Sequence, residues 1–258
     1  RVIITTLLIA PIGYNKIKHV PKRKMKWVAL SAFVGSFFPA YLFAFAETEI
    51  SSSVTAVMVS LTPLFTLLIS VIIFGEELLK KQVFGVIIGF LGIVVLINNE
   101  LLSSSFNIFY VMFIVLAAFC YAVNANVLKY KLPNIPALGI VFMSFLFLFI
   151  PAFIVLLFSD FPFSNFTTNP LIMESIVYIV ILALFGTAIA KVLYIKLLAI
   201  STPVFSVSTT YLMPVVAIFW GLLDGENFTL TQFIGTSIIL VGVYLVTKKK
   251  APIKGASG

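Results

Sequence analysis

The sequence predicts an all-α membrane protein built as two inverted repeats, and three observations carry that prediction. Of 258 residues, 61% are hydrophobic and 10% charged, against about 25% charged in an ordinary soluble domain. Most of the surface must therefore face lipid. Apolar runs long enough for a hydrocarbon core of roughly 30 Å recur at 27–46, 52–74, 82–98, 106–128, 136–158, 174–198, 203–223 and 230–247, and residues 1–14 read as a further, shortened one. Finally, "GEELLKKQVFGVIIGFLG" at 75–92 is echoed by "GENFTLTQFIGTSIILVG" at 225–242, with Gly, Glu, Gln, Gly and Gly in register.

The connections between runs are short, so neighbouring helices form antiparallel hairpins and no soluble domain fits. Positive charge sets the orientation. One side receives 15–26, Lys80, Lys81, Lys129, Lys131, Lys196, Lys248, Lys249, Lys250 and Lys254; the other receives 47–53, 98–105, 159–170 and 224–230, without a lysine or arginine. Of 17 basic residues, only Arg1 and Lys191 fall outside the basic loops and tail. The basic side, with the C-terminal tail 248–258, is read as cytoplasmic in a bacterial inner membrane. The net charge of +8 is thus a topology signal rather than a nucleic-acid surface. Asn-Phe-Thr sequons at Asn165 and Asn227 fall on the opposite side.

Between Gln82 and Gln232 the chain crosses the membrane five times, along 82–98, 106–128, 136–158, 174–198 and 203–223. Five is odd, so the second copy of the motif points the other way. That explains why Lys80 and Lys81 have no basic counterpart in the second copy. Such inversion is typical of secondary transporters. The repeat extends upstream, where "SLTPLFTLLISVIIFGE" (60–76) parallels "YLMPVVAIFWGLLDGE" (211–226) and Pro63 matches Pro214. Residues 1–98 form the first repeat and 106–247 the second. Symmetry predicts one further helix ahead of Arg1, ten in all. Gly75 and Gly225 suit the left-handed residue that closes a helix, and Glu76 and Glu226 then open the next one. Gly85 with Gly92, and Gly235 with Gly242, lie on one helix face and permit close packing. Pro63 and Pro214 read as mid-helix residues that remove a backbone hydrogen bond, either as gating hinges or as packing kinks. Pro39 has the same two readings.

At these residues the chain resembles the EamA-type branch of the drug/metabolite transporter superfamily. The resemblance runs through both copies of the motif and covers nearly the whole sequence. It implies ten helices in two five-helix halves, a central cavity flanked by Pro63 and Pro214, and export or exchange of small metabolites by alternating access. It implies no particular substrate.

Within the spans, Lys191 in "LFGTAIAKVLYIKLL" is the sharpest feature. Five residues from Lys196, it lies about 7.5 Å deeper. It either faces a cavity and attracts an anion or snorkels to the basic side. The family is usually aromatic at this position. Tyr194 shares its face. Asn124 either lines the cavity or bonds between helices, as does Asn126. Thr62, Tyr211, Ser60 and Thr209 precede the prolines, where hydroxyls either serve broken backbone or line the cavity. Tyr41 completes the substrate-binding candidates. All nine acidic residues lie in loops or at helix ends, which gives no support to proton coupling through a buried carboxylate. His19 is in a loop and Cys120 in an apolar run, so no metal centre, cofactor or catalytic cluster is expected. An intramembrane enzyme, a receptor and a channel are the competing classes. A carrier of amino acids or general metabolites is the leading one, and an organic-anion or phosphate-sugar exchanger the alternative. The partners expected are a small solute and the bilayer, for a monomer or homodimer.

Overall fold

In lipid, a backbone must satisfy its own polar groups, and the α-helix does so within one segment. The computed structural model describes residues 1–50, 55, 58–77, 80–96, 108–159, 170–212, 216 and 230–247, and contains no strand among them. Its elements are α1 (Val2–Ile17), α2 (Lys22–Ala46), α3 (Thr62–Phe74), α4 (Lys80–Leu96), α5 (Ile108–Lys131), α6 (Ala137–Leu157), α7 (Pro170–Ala183, continuing to Ile200), α8 (Pro203–Ser208) and α9 (Leu230–Thr247). Among the described residues, Lys22–Ala46, Ile108–Lys131, Ala137–Leu157 and Met173–Ile200 are long and apolar enough to cross a membrane. Among the described residues, π-helical turns interrupt α2 at Phe33–Phe37 and α7 at Leu184–Ile189, and a third, Val127–Lys131, ends α5.

The chain divides into two units. One comprises Arg1–Tyr41 with Val123–Thr202, the other Leu42–Ala122 with Pro203–Gly258. Two boundaries fall inside α2 and α5 and the third between α7 and α8, so neither unit is a contiguous half of the sequence.

In the first unit, α1 packs along α6. A Cβ on Gly13 would lie 2.6 Å from Phe142 Cβ, and one on Gly139 would lie 3.0 Å from the Lys16 carbonyl oxygen. Low numbers on α1 meet high numbers on α6, so the two run antiparallel. Val20, Val28, Leu128, Leu132, Ile140, Met143 and Leu198 form the core at one end. Lysines close that end. Lys24 Nζ donates to the Lys131 carbonyl at 2.7 Å, and Lys129 Nζ donates to the carbonyls of Leu198, Ala199 and Ser201 at 3.0, 3.2 and 2.6 Å. The last carbonyls of a helix lack internal donors and carry partial negative charge, so a cation there is stabilising. The start of α2 and the ends of α5 and α7 therefore share one face, as the alternation of basic loops predicts. The α5–α6 turn places Asn134 at φ 61°, a conformation Asn tolerates.

In the second unit, α4 and α9 meet along their glycines. A Cβ on Gly85 would lie 2.8 Å from the Gly242 carbonyl, one on Gly92 3.0 Å from the Gly235 carbonyl, and one on Gly242 2.5 Å from Gly89 N. The glycine pairs meet reciprocally, which requires antiparallel helices. Leu67, Val86, Val204 and Val246 join α3, α4, α8 and α9 in one core. Gly75 closes α3 at φ 69°, and Glu76 N–H donates back to Ser70 O at 3.1 Å. This is the expected left-handed cap. Glu76 itself lies in the link, ahead of a helix whose described part begins at Lys80. Gly225, Glu226 and Pro214 lie outside the described residues.

Pro63 corrects the sequence reading. It is not mid-helix but in the first turn of α3, because the chain turns at Ser60–Leu61. A missing N–H is harmless there. Thr62 Oγ1 donates to Val59 O at 2.5 Å, across that turn. The second copy tightens at the matching place into a 3-10 turn, Thr209–Tyr211, where Thr209 Oγ1 donates to Ser206 O at 2.7 Å. The hydroxyls of Thr62 and Thr209 thus serve the backbone.

Candidate functional site

The polar centre of the first unit is built around a carbonyl that the sequence leaves without its usual partner. In an α-helix, the Gly35 carbonyl accepts the N–H of residue 39. Residue 39 is proline, which has none. α2 answers with the π-turn Phe33–Phe37, in which Phe38 N–H donates to Phe33 O. Into this place reaches Lys191. Its Nζ donates to Gly35 O at 3.3 Å and bonds Ser36 Oγ, and it lies 5.2 Å from the centroid of the Phe145 ring. Cation–π contacts of this kind contribute about 0.5–2 kcal/mol. Gly35 is near the middle of the 25-residue helix Lys22–Ala46. The ammonium is therefore held at mid-span, not snorkelled to the basic end.

Asn124 converges on the same residue. A Cβ on Gly35 would lie 2.5 Å from Asn124 Nδ2, and Asn124 Oδ1 accepts from Ser31 Oγ at 2.6 Å. Side chains from α5 and α7 thus meet one turn of α2. Threonines on α1 hold the surrounding frame. Thr6 Oγ1 donates to Phe145 O at 3.3 Å, and Thr5 Oγ1 donates to Ala183 O at 3.5 Å, just ahead of the π-turn that precedes Lys191. π-turns gather at functional sites in many helices; two of the three here flank this contact.

The other candidates divide. Tyr194 packs into the apolar core with Leu198 and Met143. Tyr41 is exposed, its ring 4.9 Å from that of Phe37. Thr62 and Tyr211 belong to the second unit. Tyr211 is fully buried, its hydroxyl donates to Val86 O at 3.1 Å, and its ring fills the notch at Gly89. Its phenol does not face open space in this conformation. Sequence reasoning brought out Lys191 and Asn124 but missed Ser31, Gly35, Ser36 and Phe145. Pro39, four residues after Gly35 and without an N–H, was the available signal.

The chain matches the EamA-like transporter family over residues 1–98 and 108–248. It belongs to the EamA-like transporter family. An uncharacterized transporter of Archaeoglobus fulgidus is 30% identical over 240 residues, covering 88% of this chain and 81% of that protein. The uncharacterized inner membrane transporter YedA of Escherichia coli K12 is 28% identical over 204 residues, and the match spans 78% of this chain and 64% of YedA. A solved crystal structure shares the fold, with a TM-score of 0.73 at 17% identity over 95% of this chain and 85% of that one. This EamA-like protein is an integral membrane transporter. The family and these relatives carry the name of transporters.

Proposed function

We propose that the protein carries a small metabolite, an amino acid or related solute, across the bacterial inner membrane by alternating access of two inverted repeats, 1–98 and 106–247, in the direction of export. One observation carries this reading. Helices that are counterparts in the repeat pack against each other within a unit: α1 with α6, and α4 with α9, antiparallel in both cases. Lys191 ties a third such pair, α7 to α2. Counterparts that meet head to tail are what a two-fold axis in the membrane plane produces. The paired interruptions ahead of Pro63 and at Thr209–Tyr211 fit the broken helices of such carriers.

The mid-span ammonium favours one alternative, exchange of an organic anion. Counterflow in proteoliposomes with labelled amino acids, organic acids and phosphorylated sugars tests both. Uptake of an amino acid supports the first reading and uptake confined to anions the second; no counterflow with any solute refutes transport by this chain. Orientation is tested separately. In a Cys120→Ala background, cysteines at Ser103 and Ser164 are expected to react with an impermeant maleimide from outside, and those at Lys24 and Lys249 to stay unlabelled. Labelling at Lys249 in intact cells overturns the cytoplasmic tail.

A further inference from the structure

We propose that Lys191 is a binding site for a single carboxylate, kept occupied in the empty protein by the carbonyl of Gly35, whose α-helical partner position is Pro39. The proposal deepens the transport reading and rests on it for its purpose, though not for its chemistry.

An ammonium has three donors. The Gly35 carbonyl and the Ser36 hydroxyl engage two of them, and the Phe145 ring covers one side. All three are neutral. The charge is thus solvated by dipoles and a ring face, and among the described residues no carboxylate pairs with it. Lys191 and Ser36 each keep part of their surface uncovered. A carboxylate offers Lys191 a full opposite charge in exchange for a carbonyl, and charge-assisted bonds are about twice as strong as neutral ones. Asn124 brings an amide to the same turn, with Oδ1 already committed to Ser31 and the Nδ2 beside Gly35.

Desolvation chooses the ligand. Besides Lys191, the cation that acts here is Arg1, just ahead of α1, so charge alone would admit a carboxylate or a phosphate. A phosphate dianion gives up far more hydration than a carboxylate on entering a low-dielectric site, which is costly. Displacement also has a mechanical result. When Lys191 turns to the ligand, the Gly35 carbonyl loses this side-chain donor at the point where Pro39 and the π-turn already weaken α2. Binding therefore loosens α2 from α7.

The test uses thermal unfolding of the purified full chain in detergent. The probes are acetate, L-alanine, L-alaninamide and inorganic phosphate, each against sodium chloride at equal ionic strength. Concentrations run to about 100 mM, a hundredfold above a millimolar Kd. Acetate and L-alanine are expected to raise the unfolding temperature, alaninamide is not, and the effect is expected to vanish in Lys191→Gln. Pro39→Ala gives Gly35 a backbone donor and frees the lysine, so acetate is expected to bind roughly three- to tenfold tighter. The proposal is overturned if the acetate shift survives Lys191→Gln, or if no probe shifts unfolding. It falls equally if alaninamide matches alanine, if phosphate matches acetate, or if Pro39→Ala leaves the acetate midpoint unchanged. Acetate binding without counterflow of any solute sinks the transport reading and leaves this site standing. Counterflow at wild-type rate in Lys191→Gln does the reverse.

Discussion

Two glycines are equally crowded, and they are crowded by different things. A Cβ on Gly35 would meet the tip of the Asn124 side chain at 2.5 Å; one on Gly242 would meet the backbone of Gly89 at 2.5 and 2.6 Å. A side-chain amide can rotate away, whereas two helix backbones cannot. The α4–α9 seam is therefore dry and fixed, with Tyr211, Ile93 and Ile239 behind it. The α2–α5–α7 contact is polar and exchangeable, made of an ammonium, a hydroxyl, an amide and a carbonyl. A carrier needs both kinds of contact, one to stay rigid and one to switch.

Substitutions separate the two. The largest effect is expected from Gly242→Leu, which forces α4 and α9 apart; no monodisperse protein should survive detergent extraction. A wild-type melting curve for this variant would end the fixed-seam description. Tyr211→Ala, which empties the Gly89 notch, is expected to destabilise by about 3–5 kcal/mol. Tyr211→Phe removes only the bond to Val86 O and is expected to cost about 1 kcal/mol, with counterflow kept. If Tyr211→Phe instead abolishes counterflow at unchanged stability, the phenol is a transport group. Gly35→Ala is the sharpest comparison. It should fold, at about 1–2 kcal/mol less stability than wild type, because Asn124 can yield; its transport should fall more than its melting temperature implies. Lys129→Met, which removes the cap on α7, is expected to cost about 0.5–2 kcal/mol. Lys196→Ala, at an exposed side chain with no partner among the described residues, should change neither melting nor flux measurably.

The sequence made the helices legible because lipid permits few alternatives. Every described helix lies on a run read from hydrophobicity, and Gly75 sits in the left-handed conformation its place demanded. Local patterns failed where a distant backbone decides. Nothing near Tyr211 announces Gly89, so a ring that fills a notch read as a cavity residue. Pro63 read as a kink because the turn at Ser60–Leu61 lies inside an unbroken apolar run. The faces of α7 were obscured by its π-turn. One extra residue in a turn rotates all that follows by about 100°, so the face that Lys191 shares with Tyr194 does not carry back to the residues ahead of the π-turn. Its partner was harder still, since a carbonyl has no letter in a sequence; only Pro39 hints that one is free.

Lys129 has a consequence for how the chain is made. Its ammonium gathers three carbonyls from the end of α7, a helix synthesised after α5 and α6. The cap can close only once both helix ends have emerged on one side. A chain that threads α6 or α7 the wrong way leaves Lys129 and those carbonyls on opposite faces of the bilayer. Lys129 thus registers how α6 and α7 are threaded relative to α5, and a nascent chain with one of them misthreaded would lack these three bonds.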